Sequence, residues 1–197
     1  MIQKVNRTLD KILVGVDIGS LWMARAGGLL ILLTVGLVTT EIFSRQVFGR
    51  SGVHATELTG YVMAISSSWA FAYTLMRKAH IRIDALYLKL PITLRGVLDL
   101  IAILSLALFC VLVVGAAFEV TKLSYTGGAT ANTPLGTPVW IPQLLWLIGL
   151  TWFSIAVVVV SLRVLFGLLS GDIEDVQRVA GSPTLDDQVA EEQKETA

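Results

Sequence analysis

The sequence predicts an all-α integral membrane protein of four transmembrane helices, with short amphipathic helices at the interface and both termini on the cytoplasmic side. Three observations predict it. Of the 197 residues, 54% are hydrophobic and only 15% charged, and the mean hydropathy is +0.73, whereas a soluble domain carries about a quarter charged residues. The charges are spaced so that four long stretches are nearly free of them. Each of those stretches approaches the roughly 20 apolar residues that a helix needs to cross the hydrocarbon core.

The first span is expected over about residues 25–48, with an uncharged core before Glu41 and Arg45 near its far end. The second, about 57–76, opens on Glu57 and meets no further charge until Arg77-Lys78. The third, about 96–118, carries only Asp99 near its start, with Arg95 one turn before it. The fourth, about 142–169, runs uncharged to Arg163, a residue placed to snorkel to the interface. Together residues 21–170 form the membrane domain.

Two further segments read as interfacial helices. Over residues 1–20, Ile2, Val5, Leu9, Ile12, Leu13 and Val16 recur at three- and four-residue steps, beside Lys4, Arg7 and Lys11, a pattern suited to a helix lying among lipid headgroups. The alternative is a helix packed on the protein itself. Over about 80–90, Ile83, Leu86, Tyr87 and Leu90 repeat the pattern until Pro91. The mixed charges of the first twenty residues exclude a signal peptide. The acidic, aromatic-free tail over 171–197 is expected to be disordered.

Lys and Arg gather before the first span and between spans two and three, which by the positive-inside rule makes both termini cytoplasmic. The segment Ser124–Ile141 on the opposite side is rich in Gly, Thr and Pro and reads as a turn-rich loop, with Trp140 and Trp146 as aromatic anchors at its exit.

Sequence chemistry argues against an enzyme. The one cysteine, Cys110, excludes a disulfide framework and a Cys-x-x-Cys site. His54 and His80, the two histidines, are expected on opposite sides of the membrane and so cannot share a metal or a haem. Ser66, Ser67 and Ser68 have no intramembrane histidine to act as base. No cofactor is expected, and the formal net charge of zero gives no reason to invoke nucleic acid.

Packing signals are clearer. Gly60, Ala64, Ser68 and Ala72 recur every four residues along the second span, a small-residue ridge suited to a helix of this chain or of a partner. Glu41 and Arg45 are one turn apart and can pair, with Glu57 available to the same arginine; Arg95 and Asp99 make the corresponding pair at the other surface. These ion pairs are expected to be structural. An alternative reading makes Glu41 the ion site of a small homo-oligomeric exporter or channel.

The run Glu41-Ile-Phe-Ser-Arg45-Gln-Val-Phe48-Gly49-Arg50, the glutamate at Glu57, and the stretch Arg77-Lys78-Ala79-His80-Ile81-Arg82-Ile83-Asp84 then form a set. With the four-span layout and the approach Gly136-Thr137-Pro138-Val139-Trp140-Ile141-Pro142, this set resembles the DctQ-type small membrane subunit of tripartite ATP-independent periplasmic (TRAP) transporters, over about residues 20–170. The motif residues carried over are Arg77, His80, Ile81 and Asp84. The pair His54-Ala55 departs from the pattern, since an aromatic and a second acidic residue often stand before that glutamate. The resemblance implies a large multi-span permease subunit, which carries the solute and coupling Na⁺. It also implies transient contact with a periplasmic binding protein delivering an organic acid, such as a C4-dicarboxylate or a sialic acid. This chain would then be a non-catalytic, multi-pass scaffold in the inner membrane, in contact with lipid.

Overall fold

The computed structural model describes residues 2–49, 55–78 and 91–170. Four helices account for nearly all of them: α1 (Ile2–Phe48), α2 (Ala55–Met76), α3 (Ile92–Thr126) and α4 (Trp140–Leu169). No strand occurs among the described residues beyond an isolated bridge between Thr130 and Pro138.

The helices form one body around α4, which packs against each of the other three, while α1 also packs on α2 and α3 rests chiefly on α4. Sequence explains this central place. Gly149, Ser154, Ala156, Ser161 and Gly167 space small residues along α4, so neighbouring backbones approach closely where the driving force is van der Waals packing rather than exclusion of water. Ala156, Val157 and Val164 are wholly buried, and Val16 of α1, Ala72 of α2 and Ile103 and Cys110 of α3 converge on them.

Among the described residues, three helices are long and apolar enough to cross a membrane, over Val5–Phe48, Leu94–Thr126 and Trp140–Leu169. The 22 residues of α2 give about 33 Å of helix, long enough to span, but its hydroxyls dilute its apolarity. Those hydroxyls are turned back onto their own helix: Thr59, Ser67, Ser68 and Thr74 donate to the carbonyls of Ala55, Met63, Ile65 and Phe71 at 2.7–2.8 Å. Such bonds lower the cost of a polar side chain in an apolar setting.

The expected break between an interfacial helix over residues 1–20 and a first span from residue 25 is absent. α1 runs unbroken for 47 residues, because no proline interrupts it and its N-terminal half finds a packing surface on α4. Leu9, Val16 and Ser20 are buried there, whereas Ile12, Val14 and Ile18 stay exposed. The interfacial helix expected over 80–90 and the tail over 171–197 lie outside the described residues.

Glycines close two helices. Gly49, at φ +65°, follows α1 with its N–H on the Arg45 carbonyl. Past α3, Gly128 takes φ +61°, which turns the chain so that Ala129 N–H reaches the Ser124 carbonyl at 3.0 Å, a left-handed stop that glycine adopts without steric cost.

Candidate functional site: ties between helices and an apolar cleft

The functional candidates fall at three levels of the body: the end that carries the 127–139 loop, the middle, and the opposite end. At the loop end, the Ala55 N–H that opens α2 donates to Glu41 Oε2 of α1 at 2.8 Å. This satisfies one of the amide groups that a helix start leaves without an intrahelical partner and puts a negative charge at the positive end of the helix dipole. The carboxylate is thereby placed on a backbone donor, and among the described residues no ion pair joins Arg45, which is exposed, to Glu41 or Glu57.

Glu57 works in the same way one helix on. Its carboxylate accepts the Tyr61 hydroxyl at 2.8 Å and the Thr133 hydroxyl of the loop. The loop itself is folded back by Ala131 N–H to the Thr137 carbonyl (2.9 Å) and Val139 N–H to the Ala129 carbonyl (3.1 Å). Tyr125 and Trp140 meet edge to face across its base, with ring centroids 5.4 Å apart. Trp140 is thus at the loop end, whereas Trp146 turns inward and lines a cleft.

In the middle, the small-residue ridge divides. Ser68 and Ala72 are buried, but Gly60 and Ala64 are exposed. Ser68 and Trp69 press against Gly149 of α4 so closely that a Cβ on that glycine would overlap Ser68 Oγ and lie 2.6 Å from Trp69 Cδ1. Trp69 Nε1 donates to the Leu145 carbonyl at 3.0 Å. On the α1 side, Ser66 Oγ donates to the Gly27 carbonyl at 2.9 Å. Trp152 Nε1 donates at 3.0 Å to Ser20 Oγ, which passes its own hydrogen to the Val16 carbonyl at 2.6 Å. Ser20, Ser66 and Ser68 are thus buried between helices, whereas Ser67 is exposed and bonded only to its own helix.

At the opposite end, Arg163 is not at the surface, as snorkelling would require. Its residue is 4% exposed, and its Nε–H donates to Asp10 Oδ1 of α1 at 2.7 Å. Asp17 of α1 forms a second, looser pair with Arg77 at 3.6 Å, and the Arg77 guanidinium lies 5.2 Å from the centroid of Tyr73. Asp99 is buried near the start of α3, with Arg95 half-buried a turn earlier. Of the motif residues, Arg77 is described; His80, Ile81 and Asp84 lie outside the described residues.

Sequence reasoning missed the pairings of Asp10 and Asp17. The signal that could have found them is their spacing: Asp10, Leu13, Asp17 and Ser20 share one helical face. The two arginines Arg77 and Arg163 each end an uncharged stretch of another helix.

Between α2 and α3, with α4 as its floor, lies a cleft of about 320 Å³ lined by Phe71, Phe109, Cys110, Val114, Trp146 and Phe153 among others. Among the described residues, no acidic, basic or histidine side chain lines it. Among the described residues no group of three or more His, Cys, Asp or Glu could hold a metal ion. Chemically, the described groups can brace helices against one another.

A family model described as tripartite ATP-independent periplasmic transporters, DctQ component, matches residues 34–168. Comparison with curated proteins and with solved structures finds no match.

Proposed function

We propose a scaffolding task for this chain, which belongs to the DctQ component family of tripartite ATP-independent periplasmic transporters and is thereby a small membrane component of such a transporter. In this reading all four helices, α2 included, span the inner membrane with both termini cytoplasmic. A large permease subunit carries an organic acid together with Na⁺, a periplasmic binding protein delivers the solute, and this chain supplies fixed bulk against which the permease moves. The loop over 127–139 faces the periplasm, on the side from which the binding protein arrives.

The observation that carries the reading is where the charged groups go. Asp10, Asp17, Glu41 and Glu57 each bind another helix or a loop, and the cleft in the body has an apolar lining. A carboxylate engaged by a backbone N–H, as Glu41 is, favours a structural role over an exporter's ion site.

The test is uptake of a labelled organic acid into cells that express the permease and binding protein with or without this chain, alongside vesicles holding the purified chain alone. Uptake that needs the chain, and no flux through the chain by itself, is the expected result. Full uptake without it, or Na⁺- or H⁺-linked flux through it alone that Glu41→Gln abolishes, overturns the proposal.

A further inference from the structure

Contacts between the helices fix which residues stand at the same level of the body. Gly27 of α1 meets Ser66 of α2, Ser68 of α2 meets Gly149 of α4, and Ala117 of α3 clusters with Leu147 and Leu150 of α4. Gly27, Ser66, Leu147 and Ala117 therefore share one cross-section, close to the middle of α2. α1 and α3 both run toward the loop end and flank α4.

Two charged positions border that plane on opposite flanks. Arg25, exposed on α1, is two residues short of Gly27; Glu119, exposed on α3 and paired with Lys122 at 3.8 Å, is two residues past Ala117. Each is only about 3 Å from the plane by helical rise. The charge-free stretches lead away from it in opposite directions: residues 26–40 of α1 toward the loop end, and residues 100–118 of α3 toward the other end. The midpoints of the two stretches are separated along the body by about 21 Å.

A bilayer perpendicular to the helices cannot serve both. Set on the α1 stretch, it submerges Glu119 and Lys122; set on the α3 stretch, it submerges Arg25 together with Lys11 and Asp17. Charges at bilayer depth are costly on a lipid-facing surface. We propose that the body sits inclined in the bilayer by about 30°, within the range observed for transmembrane helices. The α3 flank is shifted toward the loop side, and the α1 flank toward the opposite side.

With neighbouring axes about 8–10 Å apart, such an inclination removes roughly 10 Å of the mismatch. Snorkelling of Arg25 and Lys122 in opposite directions takes up the rest. Anchors stand where this placement needs them. The Arg25 guanidinium lies 5.6 Å from the centroid of the exposed Trp22 ring on the side away from the loop, and exposed Tyr125 lies beyond Lys122 on the loop side.

The inference rests on these helices being membrane spans, and one experiment separates its failure from failure of that premise. Single cysteines carrying spin labels are introduced into the Cys110→Ala full-length chain in vesicles of phosphatidylethanolamine and phosphatidylglycerol, and depth is read from relative accessibility to oxygen and to a water-soluble nickel chelate. Leu33→Cys and Leu123→Cys stand at one level, six residues past Gly27 and Ala117; Ile18→Cys and Leu108→Cys stand at another, nine residues before them. All four sites are exposed. Inclination places Leu123 about 10 Å nearer the loop-side water than Leu33, and Ile18 about 10 Å nearer the opposite water than Leu108. Equal depths within both pairs overturn the inclination while leaving the spans intact. Four labels all open to the nickel chelate overturn the membrane reading itself.

Discussion

Arg163 and Asp10, 153 positions apart, are joined at 2.7 Å across the interface of α4 and α1. The arginine is almost wholly enclosed, while its partner's side chain is 52% exposed. Breaking an enclosed pair by removing one member costs about 3–5 kcal/mol, and an exposed pair is worth at most about 1. Asp10→Asn is therefore expected to destabilise the chain by about 1–2 kcal/mol, read as a lower melting temperature in detergent. An unchanged melting temperature would mean that the N-terminal half of α1 is held by its apolar contacts and by the Ser20–Trp152 and Asp17–Arg77 ties, without help from this pair.

Gly149 is a second point of dependence. Gly149→Ala puts a methyl group into Ser68 and Trp69 and should force α2 from α4, at a cost of about 1–3 kcal/mol typical of overpacking. Gly28→Ala is the control, because its Cβ would meet nothing within 4 Å. Thermal unfolding of both variants decides the matter; equal effects would show that helix propensity, not contact, governs the response.

The divided ridge gives a different kind of test. Ala64 is exposed and Ser68 buried, so Ala64→Leu should lower copurification with the permease while the isolated chain keeps its melting temperature. Ser68→Leu should lower the melting temperature of the isolated chain. If Ala64→Leu copurifies normally, the exposed half of the ridge faces lipid.

Glu57 fastens the 127–139 loop through Thr133. A hydrogen bond to a charged group contributes about 1.5–3 kcal/mol, so Glu57→Gln should release the loop locally. Hydrogen exchange of the Ala129, Ala131 and Val139 amides is expected to rise several-fold, with the helices unaffected. Unaltered exchange would assign the loop's order to its own backbone bonds and to the Tyr125–Trp140 contact.

Much of the helical layout was legible in the sequence because long uncharged runs have few other solutions, and the ends of α2 and α4 fall within two residues of expectation. What escaped were choices between partners. The spacing of Glu41 and Arg45 allowed an ion pair, but the amide that opens α2 has no acceptor of its own, and the carboxylate goes to it. The four-residue ridge from Gly60 to Ala72 turns about 40° at each step, so it cannot face one neighbour along its whole length. The pairings of Asp10 and Asp17 escaped because the arginines that meet them, Arg163 and Arg77, lie far along the chain.

The unbroken course of α1 has a mechanical meaning. From Asp10 to Glu41 it is a single strut of about 46 Å, bonded to α4 near its first turns and to the start of α2 near its last. Four upright helices fastened only at their middles would rack, each sliding past the next like slats on loose pins. A member made fast at both extremities is a diagonal brace: sliding would have to break a polar bond at one end or the other. A neighbour that pushes against this body meets a frame that moves as a whole.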